Sequence, residues 1–94
     1  MANDGMTFNQ AAYGVANEVV ELLIRKNADY GKDNIKEFGE FGILIRVSDK
    51  VSRLKNLVGK EALNETKSDT WQDIAGYALL AMLLERGSFE CPVE

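Results

Sequence analysis

Asp69 and Asp73 lie four residues apart in "SDTWQDIAGYALLAM", Ser68 to Met82. At about 100° per residue the two carboxylates share one azimuth of a helix, one turn apart, just where the chain becomes apolar. Glu18 and Glu21, at i and i+3 in "NEVVEL", border a second apolar stripe, with Arg25 one turn beyond Glu21. Asp49 stands on a third polar face with Arg46, Arg53 and Asn56, spaced at three and four residues. Carboxylates that border buried faces on separate helices can together seat a hard, oxygen-bound cation such as Mg²⁺, which keeps part of its water shell and engages substrate phosphates. Each set also has an ordinary structural reading. Asp73 can pair with Arg46 or Arg53, and solvated i,i+4 pairs such as Asp49 with Arg53 contribute only about 0.3 to 0.5 kcal/mol.

Other chemistry is excluded by what the chain lacks. It has no histidine, which removes imidazole general bases, catalytic triads and the commonest zinc ligand. The single cysteine, Cys91, has no histidine to activate it and no partner for an intramolecular disulfide. The Gly-Lys pairs of "GKDN" and "VGKEA" lack the spacing of a phosphate-binding P-loop.

The 94 residues fit a single domain, 1–94, and a domain of this size buries only about two thirds of its unfolded surface, so its core is thin. Hydrophobic residues at 46% and charged residues at 28% are an ordinary globular balance. A net charge of -4 gives no general attraction for a phosphate backbone, and direct DNA binding is not expected. "MANDGMTFNQ" has neither the basic nor the apolar region of a signal peptide. The longest apolar run, Ile74 to Leu84, is short of the about 20 residues that span a bilayer. A cytoplasmic protein without membrane contact is the expectation.

The elements that must position these acids are helices. Thr7 and Gln10 fit a capping box, and apolar residues at Phe8, Ala11, Ala12, Val15, Val19, Leu22 and Leu23 predict a helix from Phe8 to Asn27. "ADYGKDN" reads as a turn, and "IKEFGEFG" is ambiguous because its glycines weaken a helix. Ile43, Leu44, Val47, Val51, Leu54 and Val58 predict a second helix that stops at Gly59. The third starts near Thr66 or Ser68 and ends at Arg86, before Gly87, leaving "SFECPVE" as a tail. The outcome is an all-α bundle of three main helices. The third is apolar nearly all round, and two amphipathic neighbours can hardly cover it, so a homodimer or homotetramer through helix 68–86 is expected to complete the bundle.

Three blocks, "KNADYG" (Lys26 to Gly31), "IRVSDKVSRLKNL" (Ile45 to Leu57) and "ETKSDTWQDIAGYALLAM" (Glu65 to Met82), resemble the small phage and bacterial family called nucleotide modification associated domain, type one. That family is similar to the all-α nucleoside triphosphate pyrophosphohydrolases of the MazG and dimeric dUTPase superfamily. The likeness covers roughly Glu18 to Arg86 and implies a MazG-like fold. In the superfamily, Glu-x-x-Glu on one helix and Glu-x-x-Asp on another hold Mg²⁺, which binds the nucleotide's phosphates and activates water. Carried over, Asp73 matches the final Asp. Thr70 stands where the superfamily has Glu, and Asp69 lies one residue before it. Asp49 matches the first acid of the other motif by helix order, with Ser52 in place of the second, while Glu18 and Glu21 reproduce the spacing on an earlier helix.

The metal set the resemblance implies is therefore Glu18, Glu21, Asp49, Asp69 and Asp73. In "KNADYG", Lys26 would touch phosphate, Asn27 and Asp29 would hydrogen-bond a base or sugar, and Tyr30 would stack. Arg46, Lys50 and Arg53 would add phosphate contacts. No residue is assigned to catalysis. The function implied is a Mg²⁺-dependent nucleoside triphosphate pyrophosphohydrolase acting in nucleotide or nucleic-acid modification. The substituted acids favour an alternative, a nucleotide-binding accessory module that has lost hydrolysis. A purely structural helical oligomer is what remains if the charged stripes are only solvated.

Overall fold

The computed structural model describes residues 5–27, 32–57 and 67–92. Asp29, Tyr30 and the turn around them, together with Val58, Gly59 and Thr66, lie outside the described residues. Three α-helices run in order, α1 (Phe8–Asn27), α2 (Lys32–Leu57) and α3 (Lys67–Glu85), and the described residues contain no strand. The protein is a small all-α bundle, as its sequence pattern predicts.

The capping box at the start of α1 is fully made. The Thr7 N–H donates to Gln10 Oε1 at 3.0 Å, and the Gln10 N–H donates to Thr7 Oγ1 at 3.1 Å. Two otherwise orphaned backbone donors are thereby satisfied. At the other end of the chain, α3 stops in a Schellman motif. The Ser88 N–H donates to the Leu83 carbonyl at 2.9 Å and the Gly87 N–H to that of Leu84 at 3.1 Å, with Gly87 at φ 70°.

The second helix departs from expectation. It begins at Lys32, eleven residues ahead of Ile43, because the ambiguous "IKEFGEFG" stretch is helical on both sides of a break at Gly39 (φ 58°, ψ -151°). That conformation is essentially restricted to glycine, so one residue allows two helical pieces to meet at an angle.

The core forms where α2 meets α3. Ile43 of α2 and Leu80 of α3 are buried together with Phe89, and Val47, Tyr77 and Leu84 pack around them. Phe89 corrects the reading of "SFECPVE" as a mere tail. The Schellman turn folds the chain back so that this ring closes the end of the core, and the Lys36 ammonium pairs with Glu90 alongside it. Leu54 is buried further along α2. Helix α3 lies mainly against α2 and touches α1 more sparsely. Val19 is the one buried side chain on α1.

Candidate functional site

Asp73 sits in the second turn of α3, within reach of a lysine from each of the other two helices. Its carboxylate meets two ammonium groups rather than a guanidinium. Lys50 Nζ of α2 lies 2.8 Å from Oδ2, and Lys26 Nζ of α1 lies 3.5 Å from Oδ1. The side chains of Asp73 and Lys50 are about one-fifth exposed and that of Lys26 is 43% exposed, so the Lys50 pair is the tighter and drier one. One acid thus joins all three helices, each carboxylate oxygen facing a cation from a different helix.

The local sequence explains the placement of Lys50. At about 100° per residue, its azimuth on α2 falls between the polar face of Arg46, Asp49 and Arg53 and the buried line of Ile43 and Leu54. A lysine at such an edge can lay its methylenes along apolar surface and carry its ammonium to the nearest carboxylate. Lys26 stands in the last turn of α1, where a cation is also favoured by the helix dipole.

Around this ion pair is an open cleft of ≈ 390 Å³. Val19, Leu22 and Leu23 of α1 form an apolar wall, and Gln72, Gly76 and Tyr77 of α3 line the side next to Asp73. The volume lies within the range of small-molecule sites, which combine apolar walls with a few polar groups that fix orientation. A second hollow of ≈ 240 Å³, lined by Arg46, Asp49, Lys50, Arg53 and Tyr77, adjoins it, with Lys50 and Tyr77 common to both. The two hollows together present the four cations Lys26, Arg46, Lys50 and Arg53 and the two acids Asp49 and Asp73, a local excess of positive charge in a chain of net charge -4.

The structure thus gathers Lys26, Lys50 and Asp73, with Arg46, Arg53 and Asp49 in the adjoining hollow. Of the acids that the resemblance implies as metal ligands, Asp73 lines the cleft and Asp49 the adjoining hollow. Glu18 and Glu21 are exposed on α1, and Asp49 and Asp69 are exposed on α2 and α3. Among the described residues no three His, Cys, Asp or Glu side chains are grouped closely enough to hold an ion. One carboxylate flanked by two ammonium groups does not fit a resident divalent cation, because the site already has more positive than negative charge; it fits an anion. The pairing of Asp73 with Arg46 or Arg53 gives way to Lys50 and Lys26. Thr70, which occupies a position where the superfamily has Glu, is fully buried.

Sequence reasoning missed Gln72, Tyr77 and the wall of Val19, Leu22 and Leu23. Tyr77 was within reach of the pattern, since it follows Asp73 by one helical turn on the same face. The wall was not, because those residues read simply as the apolar stripe of α1. Asn27, at the end of α1, is half-buried and does not line either hollow.

Comparison with known protein families, with curated proteins and with solved structures finds no match to this chain. No helix among the described residues is long and apolar enough to cross a membrane.

Proposed function

We propose that this chain is a nucleotide-binding helical module that works as a self-associated accessory protein in nucleotide or nucleic-acid metabolism. The supporting observation is the pairing of Lys50 and Lys26 around Asp73 at the mouth of a half-apolar cleft. Phosphate oxygens would take the ammonium groups, in the charge-assisted manner that makes such contacts strong. The base or sugar would lie against Val19, Leu22 and Leu23, with Tyr77 and Gln72 at its polar edge. Arg46 and Arg53, next to Lys50, extend the cationic lining for a longer phosphate chain.

The binding reading is preferred to a Mg²⁺-dependent pyrophosphohydrolase for a reason of charge. Hydrolysis of a triphosphate rests on positioning and on neutralising the phosphates and the attacking water together. The cleft's lysines neutralise an anion, whereas among the described residues no three acids are grouped closely enough to hold an ion. Self-association is supported by α3, where Trp71 and Met82 remain 61% and 46% exposed although the helix is apolar on nearly every side.

Titration of the protein with ribo- and deoxynucleoside mono-, di- and triphosphates, each with and without Mg²⁺, tests the proposal. Saturable binding without pyrophosphate release, lost in a Lys50→Met variant, is the expected result. Pyrophosphate release that requires Mg²⁺ would instead establish the pyrophosphohydrolase, and absence of binding to any nucleotide would reject both.

A further inference from the structure

At the break in α2 lies a hollow of ≈ 290 Å³, lined by the apolar side chains Phe38, Ile43 and Ile45 and by two charged ones, Arg46 and Asp49. Phe38 and Ile45 are 59% and 50% exposed. Two glycines shape it. The backbone at Gly39 joins the two pieces of the helix, and a Cβ at Gly42 would lie 2.5 Å from that of Phe38, far inside the separation carbon atoms accept. Only glycine at 42 leaves the Phe38 ring where it stands. The volume is just under the about 300 to 1,000 Å³ of sites that take a whole small molecule, so it suits one end of a larger ligand.

The hollow does not stand alone. Arg46 and Asp49 also line the hollow of ≈ 240 Å³ described above, which in turn shares Lys50 and Tyr77 with the cleft around Asp73. Three cavities therefore run edge to edge, from Phe38 and Ile45 at one end to Val19 and Leu22 at the other. Between those apolar ends lie the cations Arg46, Lys50 and Arg53 of α2 and Lys26 of α1. From Arg46 to Arg53 is about 10 Å of helix, enough for a chain of several phosphates.

We propose that this track takes a dinucleoside polyphosphate, two nucleosides joined through a chain of phosphates, with the second base in the hollow of Phe38 and Ile45. The inference rests on the nucleotide reading above and adds a second subsite to it. A ligand with one base fills one apolar wall and the cationic stretch, and leaves Phe38 and Ile45 unused. A base in the hollow stacks on the Phe38 ring, and the Asp49 carboxylate accepts from an exocyclic amino group. Arg46, one helical turn before Asp49, donates to the nearest phosphate.

Asp49 also discriminates. A bare terminal phosphate carries more negative charge than one esterified to a nucleoside, and this carboxylate repels it more strongly. A nucleic-acid strand would carry its phosphates beyond both ends of the track, onto a chain of net charge -4 that does not attract them. A dinucleoside polyphosphate confines its charge to the middle, where the cations are.

Calorimetric titration of the full chain with diadenosine tetraphosphate and with adenosine tetraphosphate, in the absence of divalent ions, tests this. The two ligands have the same number of phosphates, and the dinucleoside has the lower charge, so charge alone favours the mononucleoside. The expected result is that the dinucleoside binds at least about tenfold more tightly, the scale of stacking one base on an aromatic ring. That ratio should fall towards one in Phe38→Ala and in Ile45→Ser, both at exposed positions outside the α2–α3 core, whereas Lys50→Met should weaken both ligands and keep the ratio. Equal binding of the two ligands by the wild type would overturn the inference and leave the nucleotide reading standing; binding of neither would overturn both. A ratio that survives in Phe38→Ala and Ile45→Ser, or tighter binding of a single-stranded oligodeoxyadenylate than of the dinucleoside, would also overturn it.

Discussion

Replacing Asp73 with asparagine separates the two roles open to this carboxylate, because they predict effects of opposite sign. As the counter-ion of Lys50 at 2.8 Å and Lys26 at 3.5 Å, Asp73 competes with any anion for the same ammonium groups. A phosphate bound to those lysines would sit about 6 Å from the carboxylate, where two unit charges repel by about 2.8 kcal/mol at an effective dielectric of 20 and about 0.7 kcal/mol at that of water. The open cleft lies between these limits, so relief of the repulsion is worth about 1 to 2 kcal/mol. Asp73→Asn should therefore bind a nucleoside triphosphate roughly 5- to 30-fold more tightly than the wild type. Asparagine keeps the shape of the side chain, and loss of a partly exposed ion pair costs only about 1 kcal/mol of stability, so folding does not obscure the result. Isothermal titration calorimetry in low salt, without divalent ions, measures it. Weaker binding in Asp73→Asn, together with Mg²⁺-dependent pyrophosphate release that the variant lacks, would refute the reasoning and make Asp73 a metal ligand.

Lys50→Met should weaken the same binding by about tenfold and Lys26→Met by less, since the ammonium of Lys50 is closer to the carboxylate and less exposed than that of Lys26; the same calorimetry ranks them. Leu80, 2% exposed at the centre of the α2–α3 core, should cost about 3 kcal/mol when truncated to alanine, read as a shifted urea midpoint at fixed protein concentration. Gly39→Ala forces a side chain into backbone that only glycine adopts readily, and should destabilise by about 1 to 3 kcal/mol in the same assay. Thr7→Ala removes half of the capping box and should cost about 1 kcal/mol, visible as faster exchange of the first amides of α1.

Local rules in the sequence were enough for α1 and for the end of α3. The Thr7–Gln10 box, the span of α1 and the stop at Gly87 depend on residues within one turn of each other, and all three stand in the structure as expected. The early start of α2 was illegible because a glycine-rich stretch gives weak propensity and the break at Gly39 interrupts the helical periodicity. The polar face of Arg46, Asp49 and Arg53 was equally legible, since helical periodicity alone sets it.

Which charges meet was decided by tertiary structure alone. Periodicity places a carboxylate on an azimuth of its own helix, but the rotation and height of neighbouring helices determine what faces it. Asp73 was therefore visible as an acid at the edge of an apolar segment, while its two lysines, one from each neighbouring helix, were not visible as its partners. The same limit applies to burial. A sequence reports that the α1 stripe of Phe8 and Val15 is apolar, but only the packed chain shows that its own three helices leave that stripe uncovered, because α3 has already spent its contacts on α2.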